Sequence, residues 1–272
     1  MTPTGRRCIF CGSKGPMSKE HVLSRWIRKR VPNDGTQEHW HRTDLEDGRV
    51  QERRYRLVPF ELTVREVCLA CNNGWLAHLE ARVRPILGPM TTSSINLPLS
   101  TDEQQSLAFW AAKTLMVAQS TLPRDQRVVP AEHFAELLAE QAAPNRCRIA
   151  VARRPYEPDA WPYRLLEVGG EWRAKPPPGP RPARDAYNTY RALLAVGHVV
   201  FHFLGFFDPD REEGLRPGDL PAGFIEIWPE ADRFVWSPQP EHRLRDLEWL
   251  MNLGRADLIR RRPGSERRAA AA

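Results

Sequence analysis

Apolar residues recur at helical spacing in the first half of the chain and gather into short strand-like runs in the second. Behind Thr101-Asp-Glu-Gln104, which reads as a capping box, Leu107, Trp110, Ala111, Thr114, Leu115 and Ala118 fall on one face, and this spacing predicts an amphipathic helix. Pro130 opens a shorter helical pattern carrying Phe134, Leu137 and Leu138 on one side, which stops before Pro144. Beyond Pro144, residues 147–151, 163–168, 192–207, 224–228 and 234–236 are β-type runs parted by Gly and Pro clusters. The segment Lys175-Pro-Pro-Pro-Gly-Pro-Arg-Pro182 can join neither helix nor sheet and reads as an exposed loop. A closing helix is expected over residues 241–261, with Leu244, Leu247, Leu250 and Met251 inward, and a disordered tail from Pro263.

This pattern predicts an α+β chain without internal repeats. Residues 91–100 are rich in Thr, Ser, Asn and Pro and read as a linker. The expected organisation is a small module at residues 1–92, a domain of helices and antiparallel sheet at 93–262, and the tail at 263–272. With 272 residues, of which 41% are hydrophobic and 27% charged, the chain can bury a core, which excludes disorder throughout. The longest apolar run, residues 193–207, is broken by His198 and His202 and is too short to span a bilayer as a helix. Residues 1–7 are polar and resemble no signal peptide. A cytoplasmic protein with no membrane partner is therefore expected.

Charge sharpens the picture in one place. Residues 1–90 carry 16 Lys and Arg against 10 Asp and Glu, whereas the remainder carries 24 of each. The whole basic excess thus lies in the amino-terminal third, where a polyanion would dock. Arg outnumbers Lys 35 to 5 over the chain, a bias that looks like genomic base composition, so charge alone says little about phosphate contacts.

Four of the five cysteines form two Cys-x-x-Cys pairs, Cys8/Cys11 and Cys68/Cys71, while Cys147 stands in an apolar stretch as a small core residue. Two-residue spacing lets both sulfurs of a pair reach one ion, and Gly12 permits the tight turn after the first pair. A structural zinc held by Cys8, Cys11, Cys68 and Cys71 is expected. Four thiolates fill a tetrahedral ion, so any catalysis must come from other residues.

Between the pairs lies Glu20-His21, followed by Leu23, Trp26 and Ile27 at helical spacing, with Arg25, Arg28, Lys29 and Arg30 on the other side. Directly after the last Cys comes Asn72-Asn73-Gly74-Trp75, leading into Leu79, Val83 and Leu87 on a predicted helix. If the cysteine pairs draw these segments together, a carboxylate, an imidazole and an amide oxygen converge. An imidazole can take a proton from water near neutral pH, and hard oxygens can hold a divalent cation at a phosphate. His21 is the candidate base; Glu20 and Asn72 are the candidate cation ligands.

The order Cys-x-x-Cys, Glu-His, Cys-x-x-Cys-Asn resembles the HNH endonucleases, and Lys19-Glu20-His21-Val22 with Val67-Cys68-x-x-Cys71-Asn72-Asn73-Gly74-Trp75 and Leu79-Glu80 resembles a bacterial, zinc-braced subfamily of them. The motif match covers residues 8–80. Residues 108–113 and Ile227-Trp228-Pro229 with Trp236 are similar to that subfamily as well but carry no known chemistry. The resemblance implies a zinc-bound ββα-metal, treble-clef-like module, in which Glu20 is a cation ligand, His21 the general base and Asn72 a further ligand. The family's central Asn precedes the third Cys, whereas here that stretch is Leu62-Thr63-Val64-Arg65-Glu66; Thr63 or Asn73 would have to replace it. The implied function is a Mg²⁺- or Mn²⁺-dependent endonuclease acting on nucleic acid, DNA rather than RNA. Two other functions fit the same residues: a zinc-dependent nucleic-acid-binding module without catalysis, and a zinc-scaffolded protein-interaction protein.

The remaining histidines read blandly. His39 and His41 flank Trp40 in a charged insertion expected to be a surface loop, His78 faces solvent, and His198 and His202 share one face of a strand by packing rather than ligation. Glu20 has a second reading as the cap of a helix beginning near Val22.

Overall fold

The structure, a computed structural model, describes residues 6–31, 37–44, 50–57, 60–92, 95–122, 124, 127–155, 163–172, 187–206, 223–229 and 233–237. The expected Pro-rich loop at 175–182, the closing helix at 241–261 and the tail lie outside these residues.

β1 (Glu20–His21) and β4 (Thr63–Val64) form a short antiparallel pair, with Glu20 opposite Val64 and His21 opposite Thr63. Between them the chain makes a single helical turn, α1 (Arg25–Arg28), so the basic helix expected through Arg30 is one turn long. Leu23 and Ile27 are buried beneath it. Because helix begins only at Arg25 and Glu20 sits on a strand, Glu20 does not cap it. The charged insertion follows as a hairpin rather than a loop: β2 (Gln37–Asp44) and β3 (Val50–Leu57) pair from Gln37↔Leu57 to Asp44↔Val50. Trp40, Thr43, Val50 and Tyr55 favour extended backbone, a tendency hidden in the sequence by the charges around them.

Past β4, α2 (Leu69–Cys71), a π turn (Asn72–Leu76) and α3 (Ala77–Thr92) follow one another directly, with a kink at Gly74 inside the π turn. α3 thus reaches into the expected linker, whose remaining part includes a strand, β5 (Leu97–Leu99). α4 (Thr101–Gln119) begins with a capping box at Ser100 and Glu103, one residue earlier than read, in which the Glu103 carboxylate accepts from Ser100 N at 2.8 Å. An ionised carboxylate is a better acceptor for that N–H than the Gln104 amide. Every residue of α4 from Ser106 to Gln119 is buried. The helix is therefore central rather than amphipathic, since α3, α5 (Ala131–Glu140) and the large sheet all pack against it.

That sheet has β6 (Cys147–Arg153), β7 (Tyr163–Trp172), β8 (Tyr187–Val196), β9 (Val199–Phe206) and β10 (Ile225–Trp228) in the antiparallel order β10-β6-β9-β8-β7. β11 (Phe234–Trp236) pairs with β5 instead. The run 192–207 is two strands turning at Gly197, whose φ of +53° suits glycine and whose position leaves no room for a side chain: a Cβ there would lie 2.1 Å from Thr91 O. His198 is consequently in the turn, its Nδ1 3.1 Å from Arg154 O, and does not share a strand face with His202. The mixed helix and antiparallel-sheet architecture matches the α+β expectation.

Among the described residues a single buried cluster runs from Cys8 and Phe10 through Trp110 to Phe201 and Trp236. Trp110 of α4 meets Phe201 of β9 at 5.9 Å between ring centres. No helix among the described residues is long and apolar enough to cross a membrane.

Candidate functional site

The first Cys-x-x-Cys is shaped by two backbone hydrogen bonds, Gly12 N to Cys8 O and Cys8 N to Ser13 O, both 2.9 Å, and by a φ of +69° at Gly12. A residue with a Cβ is strained in that conformation, so the glycine is what permits so tight a turn. The second pair opens α2, where Cys68 N donates to Cys8 Sγ and Cys71 N to Cys68 Sγ, each at 3.4 Å. The two segments are laced together by Ile9 N to Glu66 O, Ser18 N to Val67 O and Leu69 N to Pro16 O.

The four sulfurs of Cys8, Cys11, Cys68 and Cys71 consequently lie within 4.8 Å of one another. Tetrahedral coordination at a Zn–S distance of about 2.3 Å requires sulfurs about 3.8 Å apart, and Cys11 and Cys68 are at 3.6 Å. These four cysteines could bind a structural metal ion such as zinc. Burial pushes the Cys8 and Cys71 thiols up. At Cys11 burial is outweighed by hydrogen bonds to Ser13 and the neighbouring sulfurs, which bring the thiol down to about 6. Cys147 is buried far along the chain, 3.6 Å from the Tyr190 hydroxyl and 3.7 Å from His133 Nδ1.

The same lacing carries the Glu20-His21 strand. Residues 17 to 22 run antiparallel to 62 to 68 through the Met17↔Cys68 bridge, Ser18, the β1–β4 pair and Val22 N to Leu62 O. Neighbours on a strand point to opposite faces, and Glu20 and His21 find separate surroundings. His21 Nε2 accepts from Arg25 Nε at 3.2 Å and lies 4.0 Å from Glu61 Oε2, while Glu61 also pairs with Arg28. Burial, then the Arg25 charge, lowers the His21 pKa and keeps the ring neutral.

Glu20 faces inward, its Oε1 4.0 Å from Lys113 Nζ. Burial raises its pKa, Lys113 offsets part of this, and Glu80 adds to it. Lys113 is fully buried in the middle of α4 and donates to Glu80 Oε1 at 2.8 Å. Glu80 also accepts from the Trp110 indole at 2.9 Å and the Trp26 indole at 2.7 Å. Burial would raise the Glu80 pKa, but Lys113, followed by hydrogen bonds from Ser24 and Trp26, prevails and lowers it.

Asn72 is half-buried and donates its backbone N–H to Cys68 O at 3.0 Å, at the start of the π turn. Gly74 within that turn has φ −92° and ψ −112°, outside helical values. Among the described residues, no hydrogen bond or ion pair joins any two of Glu20, His21 and Asn72. His78 is exposed, as expected.

The Lys113 and Glu80 cluster is absent from the sequence-derived site. Its available signal was a lysine set among Ala111, Ala112, Thr114 and Leu115, where a charge needs a buried partner. No family model matches the chain, and no curated protein and no solved structure matches it.

Proposed function

We propose that the amino-terminal part of the chain is a zinc-ordered nuclease module of the HNH type, acting on nucleic acid, DNA rather than RNA. The observation that carries this reading is the path of the chain. A thiol knuckle is followed by a strand bearing Glu20-His21, and its antiparallel partner leads directly into the second thiol pair and the helix bearing Asn72. That sequence of parts is what a zinc-braced ββα-metal, treble-clef-like module requires, with the four-thiol ion structural.

His21 would act as the general base. Its neutral ring is the form that can accept a proton, and Arg25 would have to release Nε2, for instance by turning to a phosphate, to free the lone pair. Thr63, directly opposite His21, occupies the segment where the family has its central Asn. Glu20 and Asn72 offer a carboxylate and an amide oxygen, a donor set suited to Mg²⁺ or Mn²⁺ completed by water. Such an ion supplies positive charge for the phosphate and the leaving oxygen. The raised pKa of Glu20 fits this role, because a neighbouring cation would stabilise its ionised form.

Nicking of supercoiled plasmid with Mg²⁺ or Mn²⁺ tests the reading, comparing the wild type with His21→Ala at matched zinc content. Loss of nicking of about 10²-fold or more is expected for removal of a general base. Cutting that survives His21→Ala refutes the assigned site. A second reading, binding without cutting, is favoured by the contacts that Arg25 and Lys113 already make to His21 and Glu20; it requires that neither protein nicks while DNA still binds.

A further inference from the structure

A groove of about 630 Å³ opens alongside β4, between residues 62–66 and the chain just past the end of α4, with Arg6 at its margin. Arg6, Arg65 and Arg124 all line it and are exposed, and Thr63, Ser120 and Thr121 add hydroxyls.

Two features of this groove would repel an anion, and both are taken up internally. The Glu66 carboxylate is held in a two-pronged pair by Arg127, Nη1 at 2.6 Å and Nη2 at 3.0 Å. The carbonyl end of α4, the negative end of its dipole, is met by the same side chain, which donates from Nε to Leu122 O at 3.1 Å and from Nη2 to Ser120 O at 3.3 Å. Arg124 adds its charge to the hold on Glu66, so the lining carries three guanidinium groups from three separate segments against that one carboxylate. A single small anion calls for donors converging on one point, whereas separated guanidinium groups and hydroxyls suit a repeating phosphodiester, contacted without reading bases. Thr63 belongs both to the groove and to the strand pair opposite His21, so a chain of phosphates in the groove passes beside the proposed base.

We propose that this groove is the seat of the nucleic-acid backbone, with Arg6, Arg65 and Arg124 on its phosphates and the end of α4 as one wall. The inference rests on the nucleic-acid reading above and extends it by giving the region after residue 92 a share in binding.

The test is equilibrium binding of a labelled mixed-sequence duplex, its single strand and the matching RNA to the zinc-loaded full chain, without magnesium, from about 50 to about 200 mM salt. The wild type is compared with Arg65→Ala/Arg124→Ala and with Arg82→Ala/Arg84→Ala, which removes equal charge from exposed positions on α3 outside the groove. The groove variant should bind about tenfold or more weakly and lose about 2 units of the salt slope, roughly 0.9 per phosphate contact on a duplex. The α3 variant should keep the wild-type slope. A groove variant with wild-type affinity and slope overturns the inference while leaving nucleic-acid binding intact. Equal losses in both double variants overturn it as well, because net charge would then explain them. A wild type that binds none of the three probes refutes this inference and the underlying reading together. Which probe binds tightest separates duplex from single strand and DNA from RNA.

Discussion

The thiol cluster and the Glu80 cluster each join segments far apart in the chain, yet they differ in where the positive charge comes from. Cys8, Cys11, Cys68 and Cys71 surround a centre that could hold a metal ion taken from solution. Glu80 and Glu20 instead face Lys113, a cation supplied by α4, and two indoles also donate to Glu80. A metal ion bound in the first would make the fold of the amino-terminal region conditional on it. The second pairs that region, through ion pairs and hydrogen bonds, with a counter-charge on the central helix of the same chain, which is present at every metal concentration.

Removing the ion is the strongest way to break this comparison. Ligand-driven folding of small zinc modules is worth on the order of 10 kcal/mol, so a chelator or Cys68→Ser should melt the amino-terminal region. Near-UV circular dichroism from Trp26 and Trp75 reads that event. Purified protein should contain one zinc per chain, and a chelator-insensitive melt of zinc-free protein would erase the distinction.

Next in size is Lys113→Met. It leaves two buried carboxylates without their cation, and breaking a buried pair from one side costs about 3–5 kcal/mol. Urea denaturation should show that loss, and Lys113→Met/Glu80→Gln should be the more stable of the two variants because its second charge is gone. A Lys113→Met chain as stable as the wild type would mean that Lys113 is an ornament of α4 rather than the counter-charge.

The smallest expected effect is the most discriminating, because the pKa shifts of the two carboxylates have opposite signs. Glu80 has a lowered pKa, so its contribution to stability is complete above the ordinary carboxylate value of 4.5 and fades as pH falls through its lower folded value. Glu20 has a raised pKa, so its ionised form destabilises the fold at neutral pH, and acid relieves that penalty as Glu20 takes up its proton. Glu80→Gln should therefore lower the melting temperature at pH 7 and Glu20→Gln should raise it, both differences shrinking in acid. Equal signs at pH 7 would show that Glu20 belongs to the structural cluster and is not held strained for a cation.

The candidate site was legible to different depths. The thiols could be read because each Cys-x-x-Cys pair is a local device, and so could the turn at Gly12. α4, α5 and most of the β-type runs followed from spacing alone, although 192–207 concealed the turn at Gly197 within an unbroken apolar stretch. The hairpin at residues 37–57 was missed because its charges outweighed its Trp, Tyr and Val in the pattern. Convergence of Glu20, His21 and Asn72 was inferred from order along the chain. Order did not reveal that Glu20 and His21 would sit on one strand, where neighbouring side chains part to opposite faces.

By itself the sequence determined what depends on residues a few positions apart: the knuckle, the caps, the helical and strand periods, and the grouping of four sulfurs as candidate ligands. Tertiary structure alone decided that Glu80 would receive Lys113 and two indoles, that Arg127 would silence Glu66 and the end of α4, and that β4 would border a basic groove. The contacts that Glu80 and Glu66 receive join residues roughly thirty to sixty positions apart. Their partners are selected by which surfaces meet as the core closes, and buried charge must then be satisfied by whatever donor that closure brings within reach.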